Sequence, residues 1–116
     1  MQYLLLIYSN EHDEPQMGTP EGDAHLGAYY KFTEDLKTKK RYLGGNALEG
    51  ISTATTVRVR DGKTQTTDGP FAETKEQLGG YYLLDCKDLD EAIDHAAKIP
   101  SARFGSIEVR PVIVFE

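Results

Sequence analysis

A few residues in this chain have types and positions suited to proton transfer. His25 stands where His25, Tyr29, Phe32 and Leu36 follow at i, i+4, i+7 and i+11, so all four share one helical stripe. An imidazole at the rim of such a stripe titrates near neutral pH and can act as general base or acid. A rim histidine with no task is the plainer alternative. Asp68 lies in TDGPFAETKE, residues 67–76, where its carboxylate either faces a ligand or only accepts backbone N–H bonds in an Asx-turn. In the same stretch Glu73 and Glu76 read as solvated, with Glu73 the one placed to face a cleft.

Other chemistries find less support. His12, Asp13 and Glu14 are consecutive, which is poor spacing for ligands converging on one ion, and neither H-x-x-x-H nor C-x-x-C occurs, so no metal or other cofactor is expected. Cys86 ends an apolar run with no histidine near it in sequence, and Ser9, Ser52, Ser101 and Ser106 sit in no G-x-S-x-G elbow. Gly44-Gly45 and Gly79-Gly80 lack the spacing of a phosphate loop; at a strand start, Gly79-Gly80 suggests a bulge or a close backbone approach. On the second helix His95 lies opposite Ile93 and Ala97, which predicts a solvated side chain.

The elements that must position these groups follow from pattern. YLLLIY, residues 3–8, is a short apolar run with the length and aromatic content of a strand buried on both faces. A helix follows, with Asp23 as its expected N-cap, ending in the basic turn before Gly44-Gly45. A Thr/Val-rich stretch, Asp61-Gly62 and a return stretch form a hairpin. Residues 78–86 make the next strand. Asp88 and Glu91 have the spacing of a capping box and open a second helix that stops before Pro100. The last strand, residues 107–115, contains Pro111 and therefore belongs on an edge. The order β-α-β, hairpin, β-α-β predicts a ferredoxin-like α+β sandwich with both helices on one face of an antiparallel sheet.

With 116 residues the chain is expected to be one domain. Its charge of −6 and lack of a basic stripe argue against nucleic acid, and no apolar run reaches membrane-spanning length. One cysteine excludes an internal disulfide and suits a reducing, cytoplasmic setting. Both central strands are apolar at consecutive positions, yet two helices cover only one sheet face. A second copy packed face to face is the expected cover, making a homodimer.

DGPFAETKEQLGGYYLLDCKDLDEA, residues 68–92, resembles the signature of the DGPF subgroup of the YCII-related family. The likeness extends to YLLLIY, to the helix ending before Gly-Gly, to TVRVRDGKTQ and to IEVRPV at residues 107–112. It implies a dimeric α/β barrel and a site pairing a histidine of the first helix with an aspartate before the third core strand. Asp68 matches that aspartate. The histidine's place, counted back from the strand after the first helix, holds Tyr29, while His25 lies one turn earlier. The resemblance also implies a link to extracytoplasmic-function sigma factors, through gene neighbourhood or fusion.

Two readings result. In the first, a homodimer binds a small molecule in a polar cleft and carries out acid–base chemistry, with Asp68 as the base, His25 or Tyr29 as its proton partner, and Glu73, Tyr81 and Phe71 lining the site. In the second, the protein is a ligand-sensing or regulatory module acting with a sigma factor, without turnover.

Overall fold

Burial alternates residue by residue along β1 (Gln2–Ser9), and that alternation sets the architecture. Tyr3, Leu5, Ile7 and Ser9 point to a core, while Leu4, Leu6 and Tyr8 face the other way. The computed structural model describes residues 1–115. In it β1 lies at the centre of an antiparallel sheet with β2 (Tyr42–Ala47), β5 (Gln77–Asp85) and β6 (Ser106–Pro111), in the order β2-β5-β1-β6. Helices α1 (Pro20–Thr38) and α2 (Leu89–Ala97) contribute Phe32, Leu36, Ala92 and Ala96 to the core that Tyr3, Leu5, Tyr82 and Leu84 build from the sheet. The arrangement is a mixed α+β fold compatible with the ferredoxin-like class. Pro111 falls on the edge strand, where its missing N–H costs no ladder bond.

The expected bulge sits between Ile7 and Tyr8, whose partners are Gly80 and Leu78, so Gly79 is the extra residue. A Cβ on Gly80 would stand 3.0 Å from the carbonyl oxygen of Asn46, which leaves glycine as the residue that fits. Helix α1 closes in a Schellman turn. The Arg41 N–H bonds the Leu36 carbonyl at 2.9 Å, and Lys40 adopts φ 59° where glycine is usual.

Three expectations are corrected. Thr19, not Asp23, caps α1, its hydroxyl accepting from the Gly22 N–H at 3.0 Å with Pro20 at the first helical position. Helix α1 therefore starts earlier and His25 moves into its second turn. His95 is buried rather than solvated, because α2 turns Ala92, His95 and Ala96 to the sheet and leaves Leu89 and Ile93 half exposed. The last strand ends at Pro111 rather than at residue 115, although the Val112 N–H still reaches the Gln2 carbonyl at 2.9 Å.

β3 (Thr55–Arg60) and β4 (Lys63–Asp68) form a separate two-stranded ribbon. Its turn is the anticipated type I′, with Asp61 at φ 53° and Gly62 at φ 74°. Among the described residues no helix is long and apolar enough to cross a membrane.

Candidate functional site

Three chain segments meet where β1 ends, on the helix side of the sheet. Ser9 is the last residue of β1 and one of its core-facing positions. A 3-10 turn at Glu11–Asp13 follows, capped by the Asn10 side chain, which accepts the His12 N–H at 2.9 Å. That turn aims Glu14 back at the helix layer, where its Oε1 accepts from the Ser9 hydroxyl at 2.8 Å. From α1, His25 brings Nε2 to 3.1 Å from Glu14 Oε2. Tyr29, one turn on, shares a 2.6 Å hydrogen bond with Ser101 Oγ. Ser101 belongs to the 3-10 turn Pro100–Arg103 between α2 and β6 and is almost wholly buried. Its Oγ lies 3.3 Å from Glu14 Oε1 and 3.5 Å from His25 Nε2.

One assignment of hydrogens satisfies this set. A carboxylate only accepts, so Ser9, Ser101 and His25 Nε2–H all donate to Glu14, and the Tyr29 hydroxyl donates to Ser101. Burial is the main cause pushing the Tyr29 phenol above its ordinary value; the Glu14 charge adds to it and the Ser101 bond works against it. Tyr29 therefore stays a protonated donor. With its hydrogen on Nε2, His25 keeps a lone pair on Nδ1. That atom is buried and has no hydrogen-bond partner among the described residues. The ring itself is held edge-on to Tyr29, at 5.1 Å between centroids, and tilted against Phe104 at 5.7 Å.

The cluster is not a Ser-His-acid triad. Glu14 and Ser101 both sit on the same ring nitrogen, whereas a relay needs acid and nucleophile on opposite nitrogens. Ser101 is also too buried to attack a substrate. What the arrangement can do is fix an imidazole by one nitrogen and leave the other, although buried, without a competing hydrogen bond.

Of the residues singled out from sequence, His25 and Tyr29 come together here. Asp68 does not join them. It closes the β3–β4 ribbon opposite Thr55, exposed, and the carboxylate at His25 is Glu14. The physical reason is that the strand carrying Asp68 pairs within the ribbon, and residues 69–76 intervene before β5 begins. Glu73 is exposed. Phe71 lines a broad groove of about 890 Å³ on the opposite face of the sheet, with Tyr8, Glu76, Leu78 and Ser106. There Glu76 Oε1 accepts from the Ser106 hydroxyl at 2.7 Å. Tyr81 belongs to that same face by register with Leu6, and its hydroxyl accepts from Asn46 Nδ2 at 2.8 Å. The loop and the histidine do reach one end of the sheet, but the sheet lies between them.

A second polar cluster, behind α2, holds Arg41, Cys86, Glu91 and His95. Cys86, Glu91 and His95 each place one potential ligand atom within 4.8 Å of the others. Glu91 is already committed: Oε2 to Arg41 Nε at 2.7 Å and His95 at 3.3 Å, Oε1 to the Lys87 N–H at 2.8 Å. The Lys87 N–H is the main cause holding the Glu91 carboxyl below its ordinary value; burial works against it, and His95 and Arg41 add to the lowering. Burial, with help from Glu91, pushes the Cys86 thiol up to about 11. A cation would have to displace the guanidinium, so the cluster serves as an ion pair and a helix cap.

Sequence reasoning missed Ser9, Glu14 and Ser101. Glu14 was set aside because its neighbours His12 and Asp13 point to no common ion, and Ser101 because it fits no motif. The topology did hold a signal. The ends of β1 and of the α2–β6 connection, and the start of α1, must lie at one end of such a sheet.

The fold and this end-of-sheet site define a small α+β sandwich protein with a histidine held by a carboxylate in the helix layer. Comparison with known families then gives the membership: the model of the YCII-related domain matches residues 1–116, and the chain belongs to the YCII-related family. An uncharacterized protein of Rhizobium meliloti (strain 1021) is 51% identical over 125 residues, an alignment covering 100% of this chain and 95% of that protein.

Proposed function

We propose that this protein, a member of the DGPF subgroup by its motif, is a cytoplasmic homodimer that binds a small molecule and moves a proton on it through His25. Glu14 takes the orienting role first given to Asp68, and Tyr29 acts through Ser101 to hold Glu14. The observation carrying this reading is the Nδ1 of His25, buried and without a partner among the described residues. An orphaned polar atom of that kind costs about 1–3 kcal/mol, and a ligand or a catalytic task is a reason to keep it. The dimer rests on the sheet face away from the helices, where Leu4, Leu6, Tyr8, Leu78 and Leu83 have no covering layer. A single buried cysteine is in keeping with a reducing compartment.

The test is a screen of small hydrogen-bonding fragments followed by the ¹⁵N resonances of the His25 imidazole. Ligands of the site are expected to move Nδ1 and to lose affinity in Glu14→Ala. Conversion of a ligand by the wild type, lost in His25→Gln, supports proton transfer. Binding at Nδ1 without any conversion favours the sensor acting with a sigma factor. Fragments that leave Nδ1 unmoved and bind elsewhere contradict both uses of this site.

A further inference from the structure

The β3–β4 ribbon has one face made of cations. Arg60 pairs with Lys63 and Arg58 with Gln65, and side chains alternate along a strand, so these four share a face with Thr56 and Thr67. That face carries three cations and no carboxylate, in a chain of net charge −6. Among the described residues none of the three cations makes an ion pair. Arg60 and Lys63 stand directly opposite each other, which is destabilising unless an anion lies beside them. The Arg58 guanidinium lies over the Phe71 ring, 5.0 Å from its centroid. A guanidinium held in this way can still offer its N–H fork to a carboxylate.

The backbone beside these arginines has groups to spare. The ribbon's sheet has only two strands, so β3 has an outer edge, and every residue of the ribbon except Thr56 is exposed. The Gly69 N–H bonds the Ala54 carbonyl at 2.7 Å, and the two-residue turn closes on the Arg60–Lys63 pair. The even-numbered residues of β3 therefore spend their N–H and C=O groups on β4. Those of Thr55, Val57 and Val59 point outward. Among the described residues the Val59 carbonyl alone is met, by Arg60 Nη1 at 3.0 Å.

We infer that the outer edge of β3 takes up an extended acidic segment of a partner protein as a third strand, with carboxylates at alternate positions meeting Arg58 and Arg60. Two residues apart on a strand is about 6.7 Å, so an added strand repeats the arginine spacing by its own geometry. The β4 edge offers only Lys63 on this face, which favours β3. Outward N–H and C=O groups in strand register suit another backbone, whereas a long nucleic acid would also meet the surplus of acids elsewhere on the chain. This contact needs neither the His25 site nor a second copy of the chain.

The probe is an end-capped heptapeptide of alternating glutamate and threonine. At saturation the outward amides of residues 55, 57 and 59 are expected to exchange about tenfold more slowly, while those of residues 56, 58 and 60, already bonded to β4, change little. The double variant Arg58→Gln, Arg60→Gln alters only exposed positions and should weaken the peptide about tenfold or more. Val57→Pro keeps every charge and the ladder to β4 but removes one outward N–H, and it should weaken the peptide to a similar degree. No binding at millimolar peptide, or binding indifferent to the two arginines, overturns the docking edge. Binding indifferent to Val57→Pro overturns strand addition and leaves charge attraction alone. A single-stranded oligonucleotide that binds the same arginines more tightly than the peptide overturns the protein partner. Outward amides already protected without peptide, and released on dilution, assign the edge to a second copy and overturn it too.

Discussion

Ser101→Ala is the change that most sharply probes how the helix-side cluster is held. Its Oγ is buried, shares a 2.6 Å bond with the Tyr29 hydroxyl and lies 3.3 Å from Glu14 Oε1. Removing it strands the half-buried Tyr29 hydroxyl, while Glu14 keeps Ser9 and His25. One stranded partner costs about 1–3 kcal/mol, so about 2 kcal/mol is expected. Tyr29→Phe removes the other end but leaves Ser101 its carboxylate, and about 1 kcal/mol is expected. The double variant removes both partners and should cost little more than Ser101→Ala, a coupling of about 1 kcal/mol. At roughly 4 °C per kcal/mol for a chain of this size, thermal melts at fixed protein concentration should show Ser101→Ala about 8 °C below wild type. Strict additivity of the two single changes, or a neutral Ser101→Ala, would refute the shared-hydrogen-bond description.

Further outcomes follow from the rest of the molecule. Glu91→Gln breaks the partly buried pair with Arg41 and half the cap of α2, and about 2 kcal/mol is expected at neutral pH. Because the folded Glu91 carboxyl lies below its ordinary 4.5, its contribution is present above pH 4.5 and is lost as pH falls through the lowered value; urea melts at stepped pH should show the two proteins converging in acid. Lys40→Gly relieves a left-handed backbone at the Schellman turn, and a gain of about 0.5–1 kcal/mol in thermal melts is expected. The Cys86 thiol, buried and pushed up to about 11, should resist iodoacetamide at pH 8 in native protein and react promptly in urea.

Strand order and helix placement were legible because they depend on hydrophobic period and on the short, right-handed connections that such a sheet permits. The Asp61-Gly62 turn, the Gly79 bulge and the Asp88–Glu91 cap were legible for the same reason: each is local chemistry. The His25-Tyr29-Phe32-Leu36 stripe was read correctly, down to Phe32 and Leu36 in the core. The carboxylate was not. Sequence proximity to β5 favoured Asp68, whereas the ribbon carries that residue outward and a 3-10 turn after β1 swings Glu14 in. The burial of His95 was hidden too. Glu91 satisfies the imidazole from within the helix, so a polar side chain occupies a core-facing position that pattern alone assigns to an apolar one.

The held-imidazole site turns on which nitrogen of His25 carries its hydrogen. Long-range ¹H–¹⁵N spectra of the imidazole, recorded on wild type and Glu14→Ala at a pH where the ring is neutral, measure this directly. The expected result is a dominant Nε2–H tautomer with an unprotonated Nδ1 in the wild type, and loss of that preference in Glu14→Ala. A wild-type ring with its hydrogen on Nδ1, or a tautomer ratio indifferent to Glu14, would contradict the held-imidazole site.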